Sequence, residues 1–457
     1  MVQLVQPIRG AVSKVSKREG LALARLSSNS NQVLPLLALV SGLLAFVPFV
    51  GIPGTDWWGL GIGGASLIYF SWSMLLASRI ELVHMLFGGF DRTYIWHRMF
   101  SLLAVLTMWL HIQAENDVEK AIMPFGENAA ELGYELAELA EKLVIVLTVI
   151  SIFKIVPYAI WKLSHKLFIV PYLLGAFHFL TSENTFELFS PWSNYFLVFF
   201  AVGAAAFVYR LIAIDLGLSY RAYRVTKIED FKDFVEVSVT PKRKAKRKQP
   251  KPGQFVFLSF PETSKEQHPF SISEFTDPEI TVRIAKAGDW TEKLARRVKV
   301  GSRAMLSKPT GELKLDSRKS ESRVWFAAGS GVAPYLSSEG LILDDKPTKL
   351  VYSYRGESFA MALDHLRALA AKNVGFELVE IDTLVRPRLS ANEITELTSS
   401  EAHVVACGPE ALIDAVSRNS RSTSFDFEMY DYRLSYDPRP FVKTGYSKVR
   451  ELLGSRF

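Results

Sequence analysis

At 457 residues the chain is too long for one ordinary domain, and with 49% hydrophobic residues it is more apolar than a typical soluble enzyme. A net charge of +6 is modest and does not point to nucleic acid. The single cysteine, Cys407, excludes an intramolecular disulfide framework and any multi-cysteine metal site.

The first 32 residues are basic and partly amphipathic, without the short apolar core and small-residue cleavage site of a signal peptide. They read as a cytoplasmic segment near the membrane surface. Long apolar runs follow. Spanning the hydrocarbon core takes about 20 apolar residues, and 33–52, 60–80, 96–113, 142–160, 164–182 and 194–216 are candidate spans, giving a six-helix membrane domain over 33–216. The connections alternate in charge. Arg79, Arg92 and Arg98 surround the second connection and Lys154, Lys162 and Lys166 the fourth, whereas 114–141 holds Glu115, Asp117, Glu119, Glu127, Glu131, Glu135 and Glu138 against Lys120 alone. By the positive-inside rule both termini are cytoplasmic, and the protein is a multi-pass plasma (cell inner) membrane protein.

Ionisable side chains within spans are costly and mark function by default. The third candidate span carries His97 and His111, and the fifth His165 and His178. Both run in the same direction, so His97 pairs with His165 near the cytoplasm and His111 with His178 near the outside. Separations of 14 (111 − 97) and 13 (178 − 165) residues place the two levels about 20 Å apart. Two stacked haems, each clamped by an imidazole from either helix, suit that spacing. The bland alternative is four unrelated polar residues inside a bundle. A 13-residue step does not return to the same helix face, and Pro171 lies where it could distort the helix. His84, without a matching partner, reads as structural.

Residues 219–315 read as a β-rich domain, with Phe234–Thr240 and Phe255–Phe260 as strands. The basic run Lys242–Lys251 is either a solvated loop or a contact with anionic headgroups. His268-Pro269-Phe270-Ser271-Ile272-Ser273 is suited to the polar edge of a flavin ring. Arg283, with Lys286 as rival, and Gly288-Asp289-Trp290-Thr291 offer a cation and a glycine-led turn for a pyrophosphate. Residues 320–433 alternate strands at Val324–Ala327, Lys349–Tyr354, Phe376–Ile381 and His403–Cys407 with helical stretches, the pattern of a parallel α/β sheet. Gly329-Ser330-Gly331, ahead of Pro334, and Cys407-Gly408-Pro409 are tight turns after apolar strands, as a dinucleotide phosphate requires. Cys407 otherwise reads as a buried small hydrophobe. Arg355 is either a surface arginine or a partner for a 2′-phosphate. Residues 434–457 are a polar tail.

In combination and order these motifs resemble the ferric reductase and NADPH oxidase family over roughly residues 60–433. Asp91–His97 and the later histidines are similar to its haem-binding helices, His268–Ser271 to its flavin motif, and Gly288–Glu292 to the second flavin motif of the oxidases. Gly329–Pro334 and Cys407–Pro409 are similar to the nicotinamide motifs, and Tyr354-Arg355 with Phe359 to the element that reads the NADPH 2′-phosphate. The resemblance implies a multi-pass helical bundle followed by a ferredoxin-reductase-like module, an antiparallel FAD barrel and an α/β nucleotide domain. It implies FAD, two haem b and NADPH (or NADH) as cofactors, and catalytic roles at Cys407 and at a terminal aromatic. Glu428–Arg433 nominates Tyr430 for that aromatic, with Phe427, Tyr432 and Phe457 open. The implied activity is transmembrane electron transfer to dioxygen, giving superoxide, or to a ferric complex. The acidic outer connection either draws cationic substrates or is simply solvated. A haem-bearing docking subunit without catalysis is the rival from another class.

Overall fold

The computed structural model describes residues 33–429 apart from 115–117, 119–120, 153–155, 244–248, 287 and 345. The basic N-terminal segment, Lys154, parts of the acidic connection and of the Lys242–Lys251 run, Tyr430, Tyr432 and the tail with Phe457 lie outside the described residues. The chain divides into two compact units, 33–83 with 93–211, and 84–92 with 212–429 among the described residues.

The first unit is helical. Its elements are α1 (Val33–Leu43), continued by a 3₁₀ turn to Phe49, α2 (Trp57–Ala77), α4 (Phe90–Gln113), α5 (Glu127–Ile152), α6 (Tyr158–Lys166), α7 (Ile169–Thr181) and α8 (Pro191–Tyr209). The short α3 (Glu81–Leu86) lies between α2 and α4. Among the described residues four helices, not six, are long and apolar enough to cross a membrane: Trp57–Ala77, Arg92–Gln113, Ile160–Thr181 and Pro191–Asp215. Val33–Phe49 is a shorter apolar helix. The span expected at 142–160 is the end of α5, whose first half carries Glu127, Glu131, Glu135, Glu138, Glu141 and Lys142. A charge-free stretch begins only at Leu143, and the helix stops at Ile152. Without a hydrophobic driving force between helices in lipid, close backbone approach and hydrogen bonds hold such a bundle. A Cβ on Gly64 of α2 would stand 2.8 Å from the Phe196 ring of α8. Ser66 donates to the Ala104 carbonyl at 2.8 Å, and the Tyr172 hydroxyl lies 2.8 Å from Ser71 Oγ.

The second unit opens with a closed antiparallel barrel of β1 (Arg221–Asp230), β2 (Phe234–Pro241), β3 (Phe255–Phe260), β4 (Ser264–Thr276), β5 (Glu279–Ala285) and β6 (Arg303–Leu306), ordered β1-β2-β5-β4-β3-β6. Closure removes exposed strand edges. Val235, Val237, Val239, Leu258, Val282 and Ile284 fill the interior at period two.

A parallel sheet follows, of β7 (Ser322–Ala328), β8 (Thr348–Tyr354), β9 (Phe376–Asp382), β10 (Ala402–Gly408) and β11 (Ser424–Met429), ordered β11-β10-β7-β8-β9. Both faces are covered. Trp325, Ala327, Val405 and Cys407 join one core, and Val324, Phe326, Val404 and Ala406 the other. This burial on two sides explains the unbroken apolar runs in the sequence. The chain leaves β7 in one direction for β8 and β9 and in the other for β10 and β11. The switch between β7 and β10 is where an open α/β sheet offers a ligand crevice. Strand β11 was not among the strands expected from the sequence.

The segment 84–92, the end of α3 and the start of α4, belongs to this second unit. Phe90 packs against Phe255 and Phe257, with ring centroids 5.8 and 5.4 Å away. Arg92 donates to Asp426 at 3.3 Å and lies 5.4 Å from the Phe427 ring centroid. Both charged side chains are largely buried, so removing one strands the other. Arg92→Ala should destabilise this unit by about 3 kcal/mol, since the amides of Lys314 and Phe427 still donate to Asp426. A thermal melt followed by tryptophan fluorescence checks this, and an unchanged midpoint would remove the pair from the stabilising contacts.

Candidate functional sites

The four histidines form two pairs. The His97 and His165 ring centroids are 6.1 Å apart, and those of His111 and His178 are 6.5 Å apart. A ring nitrogen about 2 Å from a metal puts its ring centroid about 3 Å away, so two imidazoles on opposite sides of one ion stand about 6 Å apart. The observed separations match. His97 Nδ1 lies 2.8 Å from the Ser73 carbonyl, and His111 Nδ1 2.9 Å from the Gly59 carbonyl. A carbonyl only accepts, so Nδ1 carries the proton and Nε2 presents its lone pair. Anchoring one ring nitrogen while the other ligates is the usual arrangement around a metal. His165 Nδ1 lies 3.1 Å from Ser151 Oγ, and its ring stacks on Trp161. These donors fit haem iron. Ser73, Gly59 and Ser151 carry no signal in the sequence, because each meets its histidine only from another helix.

The 13-residue register is resolved by a break. The helix is interrupted at Leu167–Phe168, ahead of Pro171 and not at it. Pro171 has no N–H to give the Leu167 carbonyl, and that carbonyl accepts instead from Val170 at 2.9 Å, a tighter turn. His84 is buried against Phe90 at 5.0 Å between ring centroids.

The two flavin motifs meet. His268, Pro269, Phe270, Ser271 and Ser273 all lie on β4. The His268 ring is 4.2 Å from that of Trp290, and Phe270 stacks on the same indole at 5.8 Å. Ser271 and Ser273 are buried, and Ser271 is paired in register with Phe255. Gly288 opens helix α9 (Asp289–Arg297), where its N–H donates to Thr291 Oγ1 at 3.1 Å and nothing stands within 4 Å of where its Cβ would be. An open glycine at a helix start fits a phosphate oxygen. The Trp290 indole N–H is buried without a protein acceptor among the described residues. Both observations fit FAD. Arg283 donates to Glu236 at 2.7 Å, its cross-strand neighbour, and Lys286 pairs with Asp230 at 2.5 Å. Neither partner carboxylate was singled out in the sequence.

The nicotinamide motifs also converge. Gly329 follows β7 with φ +54° and open space around it, beginning a 3₁₀ turn that runs into a short helix, α10 (Ala333–Leu336), with Pro334 buried. Gly331 packs so tightly on the end of β10 that a Cβ would stand 2.2 Å from the Cys407 carbonyl oxygen. Gly408 ends β10, and Pro409 precedes the helix Glu410–Asn419. Cys407 is fully buried, and burial holds its thiol well above the usual range, so it stays neutral. Arg355 is exposed directly after β8.

A family model described as "Ferric reductase like transmembrane component" matches residues 62–176, and one described as "FAD-binding domain" matches residues 220–327. Rat (Rattus norvegicus) NADPH oxidase 1 is 34% identical over 91 residues, 19% of this chain and 16% of that protein. Respiratory burst oxidase homolog protein E of Arabidopsis thaliana is 47% identical over 53 residues, 11% and 6% of the two chains. The chain thus carries a ferric reductase-like transmembrane component and an FAD-binding domain, and resembles NADPH oxidases over part of its length. The segment matching the transmembrane component precedes the one matching the FAD-binding domain. Methane monooxygenase component C of Methylosinus trichosporium is 31% identical over 124 residues, 26% of this chain and 36% of that one. The chain thus spans a minor part of the length of each of these relatives.

Proposed function

We propose that the protein is an oxidoreductase that carries electrons from cytosolic NADPH through FAD and two haems to an acceptor on the opposite side of the membrane. The two histidine pairs, at 6.1 and 6.5 Å, carry the reading, because they lie on helices long and apolar enough to cross a membrane. When bound, the flavin exchanges a hydride for single electrons that haem can pass on. The chain's residues bind and orient. Gly329, Gly331, Gly408 and Pro409 receive the dinucleotide, and Arg355 engages its 2′-phosphate. His268, Pro269, Phe270, Ser271 and Ser273, with Gly288, Trp290 and Thr291, hold the flavin. The paired Arg283 contributes its charge beside Glu236. Cys407 supplies a neutral thiol beside the nicotinamide turn, and Tyr430 a terminal aromatic for the flavin face.

The acceptor in this reading is dioxygen, giving superoxide, and a ferric chelate is the alternative. A non-catalytic docking subunit is disfavoured by the convergence of both flavin motifs on Trp290. Anaerobic reduction of the purified protein by NADPH, then stopped-flow reoxidation with oxygen or ferric citrate, tests the whole. Cytochrome-b-like bands should appear and then decay with the true acceptor. Absence of those bands, or of NADPH-driven bleaching of the flavin, defeats the proposal. Arg355→Ala should raise KM for NADPH about tenfold while leaving that for NADH within twofold, as loss of a charge-assisted phosphate contact requires. Equal changes for both nucleotides would remove the 2′-phosphate role.

A further inference from the structure

The turn between β1 and β2 reaches the nucleotide-binding sheet. Phe234, at its end, is buried in one core with Tyr354, Ala360 and Met361. Lys286 clamps the turn, donating to the carbonyls of Phe231 and Lys232 at 2.5 and 3.3 Å. Lys232 is thereby held with its ammonium 5.9 Å from the Phe359 ring centroid. Phe359 is 51% exposed and closes the short 3₁₀ turn Glu357–Phe359 that follows Arg355.

Most neighbouring cations are neutralised. Arg367 pairs with Glu357 and Glu380, Lys286 with Asp230, Arg283 with Glu236, and Lys227 with Glu229 and Glu236. Lys232 and Arg355 have no carboxylate partner among the described residues. An exposed ring with one uncompensated cation over it, four residues after an exposed arginine, is complementary to a flat base that carries a phosphate.

We propose that Lys232, a residue of the flavin barrel, is a second specificity cation for the nucleotide, acting with Arg355 on the 2′-phosphate while Phe359 offers its ring to the adenine. The inference rests on the reading of Arg355 given above. It makes the adenosine subsite composite, so that the barrel as well as the sheet selects NADPH over NADH.

The test uses the full chain with its cofactors, purified in detergent, oxidising NADPH or NADH. Lys232→Gln should raise KM for NADPH about three- to tenfold and weaken inhibition by 2′,5′-ADP equally. KM for NADH and inhibition by 5′-AMP should stay within twofold. Lys232→Arg should restore the NADPH value. Equal shifts for both nucleotides, or no shift, would leave Lys232 as packing on Phe359 alone and overturn the inference. If Arg355→Ala changes the NADPH to NADH ratio and Lys232→Gln does not, only this inference fails. If neither changes it, the reading of Arg355 fails first.

Discussion

Replacing His97 or His165 by alanine is expected to remove about half of the haem absorbance while NADPH still bleaches the flavin. The expectation follows from the pairing. Each histidine pair takes one ring from α4 and one from the α6–α7 helix, so in the proposed reading the two haems would share no ligand. Loss of one ring would leave the proposed haem with a single imidazole to hold it, while His111 and His178 are untouched. Electrons reaching the flavin would then lack the inner relay, so transfer to an external acceptor should stop although the cytosolic half-reaction persists. Ser73→Ala is the graded counterpart. It removes the hydroxyl 3.0 Å from His97 Nδ1 but keeps the carbonyl contact, so it should weaken haem retention by about tenfold or less. The absorbance spectrum of each purified variant, before and after dithionite, decides the matter. Full haem content in both alanine variants would break the pairing, and loss of flavin would mean that the division of labour between the units is wrong.

Gly331→Ala should have the opposite signature, abolishing NADPH-driven flavin reduction and sparing both haems. The added methyl would meet backbone, the Cys407 carbonyl oxygen at 2.2 Å and its carbon at 2.7 Å, with no flexible side chain to yield. Strand β10 and the turn after β7 must therefore separate, at a cost of about 1–3 kcal/mol for overpacking. That separation disrupts both glycine turns at the switch point together. Stopped-flow flavin reduction should fall at least about a hundredfold, as when catalytic partners move by roughly an ångström. Dithionite reduction of the haems should be unchanged. Gly329→Ala serves as the milder control, because the site has open space and the penalty is only the left-handed φ of +54°, about 1–2 kcal/mol. A Gly331→Ala protein with wild-type flavin reduction would show that this contact does not shape the nucleotide site.

Composition and local order alone determined much of this protein. Apolar runs marked the membrane helices, alternation marked the barrel strands, and uninterrupted apolar strands marked the buried parallel sheet. The order of the glycine turns and the spacing of four histidines pointed to the cofactors. Local sequence failed where distance in space decides. It counted six spans, of which the described residues show four helices long and apolar enough to cross, since the apolar end of α5 shares a helix with an acidic first half. It could not say which ring nitrogen of His97 is anchored, since the Ser73 carbonyl comes from another helix. It placed Arg92 in a cytoplasmic connection within 33–216 and could not show that Phe90 and Arg92 pack on residues more than 160 positions away. It offered Arg283 as a cation with Lys286 as rival, and could not show that cross-strand register sets Arg283 beside Glu236. Periodicity records how each residue partitions between apolar and polar surroundings, which is a property of the local chain. Pairing of charges and ligands depends on which distant segments the fold brings within a few ångströms, and that is settled only when the whole chain has packed.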